Sequence, residues 1–560
     1  MHCANCGSSH IISKGVAPIL NDPTRRRYVC RSCSTNFYVS SQTIITQEIQ
    51  QPELPYYLLD DEEEEPNLEI EEAEYPDEDS IDHEDFPESF IRSNEYIESI
   101  KSKKRIVVTT AQNNSEVDQD FLDTLINYCS IKDAALVIIP IRYKKNSDDV
   151  FSYQKSVVPY LVDNKIVFEN NKLCICADLK LLSTAVNPLS GLDAFSKGNS
   201  LIIGHAQVQL RTLPRGIDRK YPPIITTTGA VTKKNYSNTK AGLQAEFNHS
   251  MSAVLVELCD DSEVFIRHLN YDEVNKGFYD LNNWYSQNNS IKIKQVDALI
   301  TGDSHVGEHD ISVYETTFGE NGIVSTLNPK YLVTHDSLNF MSRSHHTIKN
   351  QYDEFAKRKI KLNLVEDELN QTCQYLIDVT PDNCKNIIVC SNHDMHIDRW
   401  LNEADIRNDL DNARIFHYLS YLKFTSIAES EDESKNHQAY EIYFRDYIKK
   451  KNLSSINDKF IFLSETDSFK LHGIELAQHS ANGVNGSRGS VKQFANVPDK
   501  MIVGHSHSPN LNKGCYQVGT STVFNLPYVK GFSSWDHAHC IIHPNGKRQL
   551  VFIRNGKFRM

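Results

Sequence analysis

The sequence predicts an α/β protein with a largely parallel β-sheet. A strand–helix–strand pattern starts at Arg105, and five short apolar runs in the second half of the chain each end in Asp, His or Asn. Short apolar strands that alternate with helical segments are typical of parallel sheets, because a crossover helix returns the chain to the same edge. The length of 560 residues allows two or three domains with a large core.

The composition excludes several classes of protein. Hydrophobic residues make up 39% of the chain, which favours a globular protein over a disordered one. No apolar run is long enough for a membrane span, and the N-terminus lacks the features of a secretory signal. Most of the 13 cysteines are scattered, which indicates a reducing, cytoplasmic location. No internal repeat at a fixed period is evident.

The first predicted unit, residues 1–40, carries two Cys-x-x-Cys pairs separated by 23 residues. The four cysteines are Cys3, Cys6, Cys30 and Cys33. Four thiolates complete a closed tetrahedral site, and the bound metal supplies folding energy to a unit too small for a core of its own. We therefore predict a zinc ribbon with a structural Zn²⁺. Contact with nucleic acid and docking of a protein partner are both open for this ribbon.

Residues 41–100 are predicted to be an acidic, disordered linker. Residues 60–88 contain 17 Asp or Glu and no Lys or Arg, so this segment repels itself and buries little apolar surface. The rest of the chain holds 57 acidic and 59 basic residues, although the net charge of the whole is −15. The body is therefore near neutral and can carry a local basic groove. A solvated spacer is the favoured interpretation, with an autoinhibitory segment as the alternative.

Residues 101–295 are predicted to form an α/β region that packs on the core or completes it. A strand over 105–110 precedes a helix over 118–129, whose apolar residues recur at helical spacing. Further strands are predicted at 134–141, 199–205, 223–228 and 252–258.

Residues 296–560 are predicted to carry the functional site, because five apolar strands here end in side chains that commonly bind metals. The residues after these strands are Asp303 and His305, then Asp336, then Asn392, His393 and Asp394, then His479, and finally His505 and His507. The carboxyl ends of neighbouring strands meet at one edge of an α/β sheet, so these side chains should form a single site. Helices are expected over 345–360 and 405–455, and short strands after residue 515.

The order D-x-H, D, N-H-D, H and G-H-x-H resembles the calcineurin-like metallophosphoesterase superfamily over roughly residues 296–515. The resemblance implies a double β-sheet sandwich flanked by helices, with 296–560 as the catalytic domain. Two departures from the family pattern are Ser391 and His335, which stand where the family has Gly. His472 is an alternative to His479 at the fourth motif.

The resemblance also implies a role for each residue of the motifs. One divalent metal would be held by Asp303, His305 and His507, and a second by Asn392, His479 and His505. Asp336 would bridge the two metals, His393 would face the scissile phosphate, and Asp394 would orient His393.

The residue types agree with that chemistry. Two divalent ions about 3.5–4 Å apart can activate water and stabilise the charge of an in-line displacement at phosphorus. Mixed carboxylate, imidazole and amide ligands favour Mn²⁺, with Fe or Zn²⁺ as alternatives. An imidazole such as that of His393 can protonate a departing oxygen near neutral pH.

The fold alone leaves the substrate open, since the superfamily includes phosphatases, small-nucleotide phosphodiesterases and nucleases. The zinc ribbon favours DNA, and so do Arg488, in the Gly-rich loop 481–490, and Arg343, because both arginines are candidate contacts to backbone phosphates. The whole chain also looks like the pre-early DNA-transfer and host-DNA-degradation proteins of tailed phages. We therefore predict a metal-dependent deoxyribonuclease that acts in the host cytoplasm. A phosphatase or small-nucleotide phosphodiesterase and a non-catalytic nucleic-acid-binding regulator are the alternatives, and a homo-oligomer stays open.

Overall fold

The computed structural model describes residues 92–143, 152–216, 219–345, 347–431, 437–526, 529 and 531–560, together with the backbone of five short strands before residue 92. The chain divides into two units, residues 1–76 and 77–560.

The first unit contains a four-stranded antiparallel sheet in the order β1-β2-β3-β4. Its strands are β1 (Ile11–Val16), β2 (Arg26–Cys30), β3 (Asn36–Val39) and β4 (Ile44–Ile45). The side chains of the four cysteines of the predicted zinc ribbon lie outside the described residues.

The second unit contains 25 described strands and 11 described α-helices, besides short 3-10 helices. The strands of its first part are β5 (His83–Asp85), β6 (Arg105–Gln112), β7 (Ala134–Ile141), β8 (Ser152–Gln154), β9 (Lys165–Phe168), β10 (Leu173–Cys176), β11 (Ser200–Ile203), β12 (Gln209–Thr212), β13 (Ile224–Thr227), β14 (Ser252–Leu258), β15 (Val264–Asn270), β16 (Gly277–Asp280), β17 (Asn283–Ser286) and β18 (Ser290–Lys292). The strands of its second part are β19 (Ala298–Ile300), β20 (Tyr331–His335), β21 (Lys385–Val389), β22 (Phe460–Phe462), β23 (Lys470–Leu471), β24 (Ile474–Glu475), β25 (Lys500–Val503), β26 (Asn510–Asn512), β27 (Cys515–Gln517), β28 (Ala538–Ile542) and β29 (Arg548–Phe552). The helices are α1 (Asn94–Lys101), α2 (Gln119–Lys132), α3 (Lys240–Asn248), α4 (Ile311–Phe318), α5 (Ile323–Leu327), α6 (Gln351–Lys359), α7 (Val365–Val379), α8 (His396–Glu403), α9 (Ala413–Glu429), α10 (Ala439–Lys450) and α11 (Val491–Phe494).

The predicted linker is too long at its C-terminal end, because helix α1 covers its last seven residues, 94–100. The side chain of Ser93 caps this helix by accepting a hydrogen bond from the Tyr96 amide. Ile97 and Ile100, three residues apart on one helical face, are buried in the core. A single apolar face of this size is enough to hold a short helix against the body of the protein.

Three sheets form the body of the second unit. One has ten strands, in the order β23-β24-β25-β27-β26-β12-β13-β11-β10-β9. Another has six strands, in the order β22-β21-β20-β19-β28-β29, and a third has four, in the order β15-β14-β6-β7. The ten-stranded sheet takes strands from 101–295 and from 296–560, so these two ranges share one sheet.

Side chains alternate between two cores along the six-stranded sheet. Ile300 and Val333 belong to a core shared with strands of the ten-stranded sheet, whereas Leu299 and Leu332 belong to a core shared with helices such as α7. Successive residues of a strand point to opposite faces, which explains this division. The four-stranded sheet adds to the first core through residues such as Val254. The described part of the chain therefore has an α/β fold with sheet packed on sheet and helices outside.

The second unit contains a repeat that the sequence does not reveal. Strands β12 and β26 pair antiparallel at the centre of the ten-stranded sheet, with Leu210 opposite Leu511. From this centre the order is β12-β13-β11-β10-β9 on one side and β26-β27-β25-β24-β23 on the other, with matching parallel and antiparallel pairings. The orders β15-β14-β6-β7 and β29-β28-β19-β20 match in the same way. Two halves, 105–270 and 298–552, therefore repeat one topology around a pseudo-two-fold axis.

Candidate metal centre

The predicted ligands follow strands that lie side by side. Asp303, Asp336 and Asn392 come after β19, β20 and β21, which are parallel neighbours in the six-stranded sheet. His479 and His505 come after β24 and β25, which are parallel neighbours in the ten-stranded sheet. The carboxyl ends of both sheets thus supply the side chains of one site.

The structure brings these side chains together in a buried cluster. Ligand atoms of Asp303, His305, Asp336 and His507 all lie within 4.8 Å of one another, as do those of Asp303, His335 and His479. All six residues are buried. Asp303 therefore belongs to both candidate ligand groups.

The distances within the cluster suit ligands of a common ion. The Nε2 atoms of His305 and His507 face each other at 3.1 Å, and Asp303 Oδ2 lies 3.1 Å from His507 Nε2. Two nitrogen ligands about 2.1 Å from one ion and roughly at right angles are about 3 Å apart. Asp336 Oδ2 lies 3.4 Å from His305 Nε2 and 3.2 Å from His479 Nε2. A carboxylate between imidazoles of both groups can reach two ions.

Three side-chain oxygen atoms of the predicted ligands have no hydrogen-bond partner among the described residues. They are Asp303 Oδ1, Asp336 Oδ1 and Asn392 Oδ1, all shielded from solvent. A buried polar atom without a partner destabilises the fold by about 1–3 kcal/mol. Two such carboxylate oxygens among the imidazoles of the cluster, with a third oxygen on the loop after β21, are what a metal site requires, so the residues present fit a divalent cation.

The backbone at this site is strained. His305, Asp336, His505 and His507 all have a positive φ, between 42° and 74°. A left-handed conformation costs a non-glycine residue about 1–2 kcal/mol and persists only where surrounding structure enforces it. Gly504 supports the arrangement, because a Cβ there would lie 2.4 Å from Asp303 Oδ1. Four strained residues among the predicted ligands indicate that function, not stability, selects this geometry.

The protonation states also suit metal binding. Burial raises the pKa of Asp303, but the hydrogen bond to His507 and the charge of His479 outweigh it and bring the pKa to about 2. Burial lowers the pKa of His305 to about 3 and that of His335 to about 4. Burial lowers the pKa of His479 as well, but the charges of Asp336 and Asp303 raise it to about 9. The cluster thus holds ionised carboxylates with neutral His305 and His335, the ligand forms that bind cations, whereas His479 carries a proton that it would have to release before binding a metal.

The remaining predicted residues lie around this cluster. The ring of His505 is 5.2 Å from that of His479, and the ring of His393 is 4.7 Å from that of His305. Both His393 and Asn392 are half-buried. The rival ligand His472 lies elsewhere, with its Nε2 2.6 Å from Asp297 Oδ2. The structure therefore places His479, and not His472, in the cluster.

The predicted role of Asp394 needs correction. His393 Nδ1 lies 2.9 Å from the carbonyl oxygen of Asn339, so this carbonyl accepts the Nδ1 proton and orients the ring. The carboxylate of Asp394 instead accepts hydrogen bonds from the Leu338 and Ser391 amides. Burial and the charge of Asp336 raise the pKa of Asp394 to about 7. Asp394 thus fixes the two loops that carry Asp336 and Asn392 and does not touch the imidazole of His393.

His335 is a candidate ligand that the sequence analysis passed over. It closes β20, immediately before Asp336, and its Nδ1 lies 3.4 Å from His479 Nδ1. Its Nε2 has no partner among the described residues. Its position at the end of a strand, beside Asp336, could have identified it as a candidate ligand. The family resemblance drew attention only to the replacement of Gly by His at this position.

The predicted substrate contact at Arg343 is wrong. Its guanidinium is buried and forms a bidentate pair with Asp409 and a further ion pair with Glu354. A cation with two carboxylate partners in the interior is not available for a backbone phosphate. Arg343 therefore fixes the loop after β20 to helix α6 and to residue 409. Arg488 is exposed in its loop, and its contact with phosphate stays a prediction.

We expect the substitution Arg343→Met to destabilise the protein by about 2 kcal/mol, because it removes the buried cation that joins Asp409 and Glu354 and leaves the half-buried Asp409 carboxylate without a cationic partner among the described residues. The midpoint of thermal unfolding should fall, while turnover of a small phosphodiester per folded molecule stays near that of the wild type. The matched control is Arg407→Met, since Arg407 is exposed and pairs only locally with Asp405. A loss of turnover without a loss of stability would restore the substrate role of Arg343.

The first half of the repeat lacks the ligands. Strand register equates Thr110 with Asp303, Gln112 with His305, Ile139 with Asp336, Asp178 with His479, His205 with His505, and Gln207 with His507. The amide nitrogens of the two glutamines donate to the backbone carbonyls of Asn235 and Val186, and His205 bonds to Leu182 and Gln207. Internal hydrogen bonds thus replace the ligand set, and the described cluster belongs to the second half alone.

Fold and cluster together define an α/β protein with a buried Asp/His group that can hold a metal ion. A curated relative is Protein A1 of Escherichia phage T5, which is 32% identical over 474 residues, or 82% of this chain and 83% of that protein. The chain belongs to the family of this phage protein. No family model and no solved structure matches the chain. In the described part of the chain, every helix is too short or too polar to traverse a lipid bilayer.

Proposed function

We propose that this protein is a phosphodiesterase that uses two divalent metals, with Mn²⁺ favoured, to hydrolyse DNA. As a member of a phage protein family, it would act on host DNA in the host cytoplasm. The observation that carries the proposal is the buried cluster, in which two carboxylates lie among four imidazoles and one oxygen of each carboxylate has no hydrogen-bond partner among the described residues. Bound metals supply Lewis-acid stabilisation of the phosphate charge.

The residues divide by role. One ion would be held by Asp303, His305, Asp336 and His507, and the other by Asp336, Asn392, His479 and His505, with His335 as a further candidate. Because Nδ1 of His393 donates to the Asn339 carbonyl, its Nε2 is left to exchange a proton with the departing oxygen. His393 is only half-buried, so a phosphate outside the cluster can approach it.

Metal removal tests this proposal directly. Supercoiled plasmid, linear duplex and single-stranded DNA are incubated with the full chain in Mn²⁺, after treatment with EDTA, and after Mn²⁺ is restored. We expect cleavage that EDTA abolishes and Mn²⁺ restores, together with hydrolysis of bis(p-nitrophenyl) phosphate. Hydrolysis of p-nitrophenyl phosphate with intact DNA would instead identify a phosphatase. Binding of DNA without hydrolysis of any of these substrates would identify a regulator.

A further inference from the structure

A cleft of about 1000 Å³ lies between the two halves of the repeat, away from the metal cluster. Helix α3 of the first half lines one side, and residues around the starts of β25 and β27 and the turn before β29 line the other. Its cationic residues are Lys240, Lys500, Lys513, Lys547 and Arg548, against one carboxylate, Asp499. Asp499 is already paired with Lys470.

The four lysines of this cleft have no ion-pair partner among the described residues. The arginine is different, because Arg548 is buried and its Nη1 donates to the carbonyls of Met501 and Gly514. Four ammonium groups against one carboxylate, which already pairs with Lys470, give the cleft a net positive charge and favour a polyanion there.

Helix α3 also presents apolar side chains to the cleft. Phe247 is 86% exposed and Leu243 is 53% exposed, and both line it. A basic groove with an exposed aromatic ring is typical of proteins that bind single-stranded nucleic acid, because bases stack on the ring while lysines track the backbone. The bases of a duplex are already stacked and do not offer a face to Phe247.

The cleft and the metal cluster lie at opposite ends of strand β25 in the ten-stranded sheet. Across the sheet from β25 to β11, three of the five neighbouring strand pairs are antiparallel. Strands β25 and β11 therefore run in opposite directions. Lys500 is the first residue of β25, and His505 lies just beyond the other end of this strand. The five residues from Lys500 to His505 correspond to about 16 Å of extended chain. Gln207, the counterpart of His507, lines the cleft. The cleft therefore lies near the part of the first half that corresponds to the metal cluster of the second half.

We infer that this cleft binds single-stranded DNA at a site separate from the metal centre. The inference rests on the proposed function in naming DNA as the ligand, but it does not require hydrolysis. Single-stranded DNA bound in this cleft would stay attached to the protein while another stretch of the same DNA reaches the metal cluster.

The test is binding of a fluorescently labelled single-stranded oligonucleotide to the full chain in EDTA, followed by anisotropy over a range of salt concentrations. Substitution of Lys240, Lys500, Lys513 and Lys547 by Ala should weaken binding by about tenfold or more and lower the slope of log affinity against log salt by about three. Phe247→Ala should weaken binding by about tenfold through the loss of one stacking contact. The control replaces the exposed lysines Lys292, Lys294, Lys361 and Lys385.

Wild-type affinity of the cleft variant, or equal affinity of the wild type for duplex and single strand, would overturn the inference. The variant should still hydrolyse bis(p-nitrophenyl) phosphate at the wild-type rate, because the metal centre is untouched. Failure of the proposed function appears separately, as a wild-type protein that binds DNA but hydrolyses neither DNA nor the small diester in Mn²⁺.

Discussion

The substitution Asp336→Asn should reduce metal-dependent hydrolysis of DNA by at least about 10³-fold, since several kcal/mol of transition-state stabilisation depends on the ions that this carboxylate would bridge. Asp336 Oδ2 lies near imidazoles of both ligand groups, and Oδ1 has no other described partner. An amide keeps the shape of the side chain but offers one neutral oxygen in place of a bridging anion. The protein should therefore stay folded in EDTA and bind less than the two Mn²⁺ ions expected per wild-type chain.

The readouts for Asp336→Asn are turnover of plasmid DNA, Mn²⁺ stoichiometry by elemental analysis, and the unfolding midpoint without metal. Asp297→Asn is the matched control, because Asp297 precedes β19 at its other end and pairs with Lys330 and His472. The control should keep its metal and its turnover. Unchanged stoichiometry and turnover in Asp336→Asn would contradict the dinuclear assignment.

Much of the site could be predicted from the sequence because its signals are local. The candidate ligands follow short apolar strands, and the carboxyl ends of neighbouring parallel strands lie side by side. The sequence did not show that these strands belong to two sheets, whose ends meet at the site. Because the signals of a strand are also local, the predicted strands at 134–141 and 252–258 match β7 and β14 at both ends. Short sequence patterns therefore suffice to predict the strands and the side chains that follow them.

Long-range pairing could not be predicted in this way. Arg343 looked available for phosphate, yet its partner Asp409 is 66 residues away along the chain. The orientation of His393 depends on the carbonyl of Asn339, 54 residues away, and a carbonyl carries no sequence signal. Only tertiary packing determines such contacts.

The repeat was also invisible, although it organises the whole second unit. The halves share topology, but few equivalent positions keep the same residue, such as Gly204–His205 with Gly504–His505 and Gly229 with Gly519. A strand requires only apolar side chains at alternating positions, so many sequences satisfy the same register. Most positions that carry candidate ligands in the second half hold other residue types in the first half, so the motifs do not recur either.

His393→Asn should reduce cleavage of DNA by about 10²–10⁴-fold, the range for loss of a general acid. The reason lies in the geometry, since Nδ1 is committed to the Asn339 carbonyl and Nε2 is left beside the cluster, with the ring 4.7 Å from that of His305. DNA departs as an alkoxide that needs a proton, whereas p-nitrophenolate departs without one. Hydrolysis of bis(p-nitrophenyl) phosphate should therefore fall by about tenfold at most, with Mn²⁺ stoichiometry unchanged. The control His472→Asn, outside the cluster, should lower neither rate, and an equal loss on both substrates in His393→Asn would show that this imidazole positions the phosphate and does not donate the proton.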